Sequence, residues 1–431
     1  MRELAGIVLD TPTPATPRLR GHACVRVDER GTIEDVVDLP GDPPSGAPLI
    51  IPGLIDAHLH LPQYPVVARR ESSLLPWLER HVFPTEKKFT RSARGPDDLQ
   101  QEIGSFLDDL AANGITWAIA FGAIWEDTTD LAFDLARRRG QRLALGKVMM
   151  DEGSYGTAQP IEARNRSLDE TRRLAAKWHG AADGLLEYVA SPRFAVTCSM
   201  ELMRGAAEIA REFGCRIQSH LSENHDEIEL VRGRFSDASD YVDVYDKAGL
   251  LGAGTLLGHG IHLSRREMER LAETGTTVVH CPTSNFFLNS GICPIDQLRA
   301  AGVPLALASD IAGGPEMNPF QVMRSAIEGQ KARRFADPSI PEWTPAEAFH
   351  LATAGAAQTL GRGGQLGIID PACEADLVLI DPTALSPSLA LSPHTARELQ
   401  AEDWLSLLVY RATPAAIQAT MVRGAWTKAP A

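Results

Sequence analysis

From about residue 51 to 360, short apolar runs alternate with longer, charged amphipathic stretches, as expected when buried parallel strands alternate with the helices that cover them. The runs 115–121, 143–149, 186–190, 216–220, 255–259, 276–280 and 304–309 read as strands, and the segment leading into His58 makes eight. This α/β pattern predicts a (β/α)8 TIM-like barrel over 51–360. Two helices declare their starts. Ser264-Arg265-Arg266-Glu267 and Thr344-Pro345-Ala346-Glu347 both fit the S/T-x-x-E capping box, the second with Pro in its first turn and an expected end at Gly361.

The flanks follow a different pattern. Residues 1–50 carry β-like runs such as Ala23-Cys24-Val25-Arg26-Val27 among Pro and Gly clusters. Strand character returns at Ala375–Asp381 and Ala419–Gly424. The simplest organisation joins 1–50 and 361–431 in one small β-sandwich domain beside the barrel. Residues 382–400, with Pro382, Pro387 and Pro393, read as an irregular excursion. Gly252-Ala253-Gly254-Thr255-Leu256-Leu257-Gly258 precedes a strand instead of following one, so it is a turn and not a dinucleotide fingerprint.

Composition narrows the function. With 44% apolar residues the chain can bury a large core. Its 42 Lys and Arg against 56 Asp and Glu give a net charge of −14, which repels phosphate backbones and anionic lipid, so neither nucleic acid nor membrane is expected as a partner. Six scattered cysteines, the absence of a signal-peptide pattern at Met1-Arg2-Glu3-Leu4 and the lack of an 18-residue apolar run suggest a cytoplasmic protein with reduced thiols.

Alternation along a strand puts His58 and His60 on one face, and His220, His259 and Asp310 each close a later strand, where such barrels hold their active sites. Any one of them could be a hydrogen-bonded core residue. Five such groups, each ending an apolar run, point instead to a metal site, because burying them unpaired would cost several kcal/mol. Glu223, three residues past His220, is placed to shuttle protons, and His280 ends its strand run and is expected to face the site. His225 and His262 read as surface or supporting residues. Neither H-E-x-x-H nor the H-x-E with P-C-x-x-C of cytidine-type deaminases is present.

Pro52-Gly53-Leu54-Ile55-Asp56-Ala57-His58-Leu59-His60 resembles the first-strand motif of the amidohydrolase superfamily, and the order His-x-His, His, His, Asp resembles its mononuclear deaminases. No lysine ends the predicted fourth strand, where binuclear members carry a bridging one, so the resemblance implies one divalent metal, Zn²⁺ or alternatively Fe²⁺, held by His58, His60, His220, His259 and Asp310. Pro62-Gln63, Leu74-Leu75-Pro76-Trp77-Leu78, Phe83-Pro84-Thr85-Glu86, Ser191-Pro192-Arg193-Phe194 and His280-Cys281-Pro282-Thr283-Ser284-Asn285 are similar to the guanine deaminases within that branch. The resemblance implies hydrolytic deamination of guanine to xanthine and ammonia. Glu223, Asp310 and His280 would be catalytic, Gln63 and Arg193 would hold the polar edge of the purine, Trp77 and Phe194 would pack on its ring, and residues 61–89 would cover it. A small purine substrate and a homodimer are the expected partners. Ala68-Arg69-Arg70-Glu71-Ser72-Ser73 departs from the family and bears on pocket shape, which keeps 8-oxoguanine, a pterin or an aminotriazine open as substrates. A non-catalytic binding protein on the same barrel is the remote alternative.

Overall fold

The computed structural model describes residues 1–153, 159–386 and 398–430. The N-terminal strands are β1 (Arg2–Asp10), β2 (Arg18–Val27), β3 (Ile33–Asp38) and β4 (Leu49–Pro52). The barrel strands begin with β5 (Leu54–His60), β6 (Ile115–Phe121), β7 (Arg142–Gly146) and its short continuation β8 (Val148–Met149). They continue with β9 (Leu186–Pro192), β10 (Arg216–Leu221), β11 (Thr255–His259), β12 (Thr277–His280) and β13 (Leu305–Leu307). The C-terminal strands are β14 (Leu377–Ile380), β15 (Ile417–Val422) and β16 (Ala425–Lys428).

Strands β5, β6, β7, β9, β10, β11, β12 and β13 pair in parallel in that order. The series closes through two backbone bonds between its ends, Asp310 N–H to His58 O (2.9 Å) and His60 N–H to Ile311 O (2.6 Å). Every predicted strand run therefore falls on a barrel strand. Ile55, Trp117, Ile119, Ala144, Val189, Leu256, Val279 and Ala306 fill the interior, each such burial being worth up to about 2 kcal/mol. The site is built above this plug, at the carboxyl ends of the strands.

Both chain ends form one mixed sheet in the order β16-β15-β14-β4-β1-β2-β3, curled over an apolar cluster that includes Val25, Ile33, Ile50, Leu377 and Met421. Strand β4 runs directly into β5, so this sheet sets the starting point of the strand that carries His58. Buried Arg142 reinforces the junction through Asp376 (3.2 Å) and Glu374 (2.6 Å).

The two predicted capping boxes are present at Ser264 and Thr344. The second helix does not reach Gly361, however. It ends at Leu351 and a new one spans Ala354–Thr359, because Thr353 leaves the helical region and its hydroxyl binds Phe349 O (2.7 Å). The break frees Ala352 O for Ile55 N–H (2.9 Å), tying the helix to the first barrel strand. Of the predicted excursion, Pro387 and Pro393 lie outside the described residues.

Candidate active site

Strict alternation would leave Ile55 and Ala57 on the face opposite His58 and His60. The pairing of β5 with β6 instead slips between Asp56 and Leu59, so that two residues, Ala57 and His58, stand opposite one. This bulge lets Ile55, Ala57, His58 and His60 all point inward. His58 then needs room, and Gly258 supplies it: a Cβ there would come within 2.7 Å of the His58 ring. His259 follows inward-facing Gly258 and would point out of the barrel, but its φ of 74° turns the side chain back into the site. Asp310 (φ 52°) and Ser222 (φ 47°), just before Glu223, have the same left-handed conformation. Strained non-glycine backbone clustered at one place is a mark of a functional site.

The side chains converge. One ligating atom from each of His58, His220, His259 and Asp310 lies within 4.8 Å of all the others. His60 Nε2 joins them, 3.1 Å from His220 Nε2 and 3.2 Å from Asp310 Oδ1. Burial, with like-charged neighbours, drives the His220 imidazole well below its usual pKa, and burial takes His60 to about 4, so both imidazoles are neutral near pH 7. Burial opposes ionisation of Asp310, yet the His58 and His60 imidazoles close against it, at 3.4 and 3.2 Å, hold its carboxyl well below the usual range. Both His58 ring nitrogens and His259 Nε2 are buried without a hydrogen-bond partner, and a cation coordinated by one His58 nitrogen and by His259 Nε2 would remove the cost at those two atoms. Neutral imidazoles around one carboxylate fit a divalent transition metal.

Supporting residues fix the imidazoles. His220 Nδ1 donates to Arg193 O (2.7 Å) and His259 Nδ1 to Asn285 Oδ1 (3.0 Å), which leaves both Nε2 lone pairs aimed at the cluster. Gly313 permits close approach to Asp310, since a Cβ there would lie 2.6 Å from Oδ2. Glu223 is only 2% exposed, so it is not a solvated helix-start acid. Its Oε2 lies 3.4 Å from His259 Nε2 and its Oε1 accepts from Ser290 Oγ (2.9 Å). Burial, helped by Asp310, pushes its carboxyl up to about 8, keeping a transferable proton near neutral pH.

Beside this cluster lies a narrow pocket lined by His60, Gln63, Trp77, Arg193, Phe194, Glu223 and Asp310, with Leu74, Leu78 and Leu288. The segment predicted as a cover roofs it through the short helix Leu74–Trp77 and the turns that follow. The divergent 68–73 loop supports the roof: Trp77 Nε1 donates to Arg69 O (2.9 Å) and Asn289 Nδ2 to Ser72 O (3.1 Å). Gln63 and Arg193 sit side by side against Glu86.

The expectation for His280 is corrected. Val279 and Cys281 face the barrel interior, so alternation turns His280 outward towards Trp343, with ring centroids 6.5 Å apart, and it does not line the pocket. His262 and His225 stack behind the site at 3.9 Å, and His262 Nε2 donates to Ser290 O (2.8 Å). Glu86, Asn285 and Ser290 were missed as supporting residues by sequence reasoning. The first two lie inside motifs quoted for the family resemblance, and that was their only signal.

The model of the amidohydrolase family matches residues 49–427. A guanine deaminase of Escherichia coli (strain K12) is 34% identical over 78% of this chain and 74% of its own, and one of Homo sapiens is 32% identical over 78% and 73%. Among solved structures, guanine deaminase from C. acetobutylicum with bound guanine in the active site superposes with a TM-score of 0.88 at 28% identity, covering 99% of both chains. The bulged His pair, the later strand-end ligands and these matches agree: the chain belongs to the amidohydrolase family and, within it, groups with the guanine deaminases.

Proposed function

We propose that this protein hydrolyses guanine to xanthine and ammonia. The observation that carries the reading is the adjacency of two devices: the His and Asp cluster with Glu223, and a narrow pocket whose one polar wall is Gln63 and Arg193. His58, His60, His220, His259 and Asp310 would hold one divalent cation, and Zn²⁺ is our assignment, with Fe²⁺ as the alternative that elemental analysis separates. When bound, such a cation supplies a water acidic enough to act as a nucleophile near neutral pH.

The chain's residues do the rest. Ionised Asp310 accepts the proton of the attacking water. Glu223 donates its proton to the ring nitrogen beside C2, so that no charge builds on the purine as the carbon is attacked, and then carries a proton to the departing amine. Gln63 and Arg193 hold the oxo edge, while Trp77 and Phe194 enclose the ring and exclude water. The six cysteines are free and buried, which fits the cytoplasm, and no helix among the described residues is long and apolar enough to cross a membrane. A homodimer completes the reading and is checked by light scattering.

The test is a spectrophotometric panel of guanine, 8-oxoguanine, adenine, cytosine, isoxanthopterin and melamine, with ammonia as a second readout. Guanine should give xanthine and one ammonia. Turnover of another ring with guanine inert would overturn the substrate, and no turnover of any after metal is restored would overturn the enzyme.

A further inference from the structure

Glu86 does not line the pocket, yet both residues of the polar wall depend on it. It sits on the short helix Phe83–Lys87, wholly buried, and accepts from Gln63 Nε2 at 2.9 Å through Oε1 and from Arg193 Nη1 at 2.7 Å through Oε2. An ionised carboxylate only accepts, so it binds the NH₂ end of the Gln63 amide and never the carbonyl end. The carbonyl end is then the one left for the pocket: Gln63 Oε1 is buried without a partner. Arg193 is held at three places. Glu86 takes one nitrogen, the Phe83 ring lies 5.3 Å from the guanidinium carbon, and the Arg193 carbonyl receives His220 Nδ1–H.

We infer that Glu86 is a positioning residue that fixes the order of acceptor and donor along the pocket wall and thereby sets which ring the site accepts. This inference rests on the deaminase reading above. Held by Glu86, the wall offers one acceptor, Gln63 Oε1, next to the remaining N–H donors of Arg193. Adjacent N–H and C=O groups on a ring, as at N1 and C6 of guanine, complement it. A bare ring nitrogen beside an amino group inverts both positions. Were the Gln63 amide free to turn over, the wall would present donors throughout and lose that discrimination. Because Glu86 also cancels the charge of Arg193, the wall recognises a pattern of hydrogen bonds and exerts no net pull on anions.

The experiment compares guanine with 2,6-diaminopurine, which carries the same reactive amine at C2 but the inverted edge. Glu86→Gln keeps the side chain's size while its amide both donates and accepts, so neither end of Gln63 is favoured. The expected result is a KM for guanine raised at least tenfold, kcat changed much less, metal content unchanged, and the ratio of guanine to 2,6-diaminopurine kcat/KM lowered at least tenfold. Where turnover of 2,6-diaminopurine is below detection, its inhibition constant against guanine replaces kcat/KM. Glu86→Asp keeps the charge with a shorter reach, and its ratio should fall between the two. A purely structural role would depress both rings alike, and an unchanged ratio overturns the inference. If Glu86→Gln yields no soluble protein, a wild-type ratio in Glu86→Asp does the same. Wild-type protein inert towards guanine would instead overturn the deaminase reading, before any variant is compared.

Discussion

Asn285→Ala removes one hydrogen bond and should damage the whole site. Asn285 is buried, and its Oδ1 lies 3.0 Å from His259 Nδ1. That bond keeps the proton on Nδ1 and the Nε2 lone pair directed at Asp310 and Glu223, 3.8 and 3.4 Å away. Without it the proton divides between the two nitrogens and the ring loses its anchor. The bond alone is worth about 0.5–1.5 kcal/mol. Partners of this kind around a metal are worth about 10–100-fold in metal affinity or activity, or about 1.4–2.8 kcal/mol at 1.4 kcal/mol per factor of ten. Since the wrong tautomer adds to the lost bond, we expect the combined loss in Zn²⁺ affinity and kcat/KM to reach roughly 30-fold. Competition with a chelating indicator gives the first quantity and guanine turnover the second. Asn285→Asp, which keeps an acceptor in place, should retain most of both. An Asn285→Ala protein within twofold of wild type on both measures would refute the role given to His259.

Glu223→Gln should leave metal content unchanged and lower kcat by about 10²–10⁴-fold, because the carboxyl proton is lost while the shape is kept; loss of metal instead would assign Glu223 to the ligand set. Ser290→Ala removes the donor to Glu223 Oε1 and should cost about tenfold in kcat/KM with little change in melting temperature, whereas a large drop in melting temperature at unchanged kcat/KM would make Ser290 structural. Arg142→Leu strands buried Asp376 and should destabilise the protein by about 3 kcal/mol in denaturant unfolding. Against its burial, Arg142 and Arg423 hold the Glu374 carboxyl below its usual pKa, so this stabilisation is present above the ordinary carboxylate pKa and is lost as pH falls through the lower folded value. Acid unfolding of Arg142→Leu should accordingly be less steep over that range; an equal slope would contradict the pairing.

What could be read from the sequence was whatever repeats with a fixed period. The barrel strands and the two capping boxes are signals of that kind, and they fall where the apolar runs and Ser264 and Thr344 put them. The same logic misjudged His280, because a strand end says nothing about which face it ends on; inward Val279 decides that. It brought His58 and His259 to the site for an incomplete reason. A bulge at Ala57-His58 and a left-handed His259 do the aiming, and neither leaves a periodic trace. Glu86 was invisible by period alone, since its partners stand 23 and 107 residues away and meet it only once the barrel has closed.

Whether one metal per chain serves guanine hydrolysis is decided by a titration. Metal-stripped protein receives Zn²⁺ in fractional equivalents while ammonia release from guanine is followed. Turnover should rise linearly and level at one equivalent per chain. A plateau at two equivalents, or full turnover with none, would contradict the single-metal role.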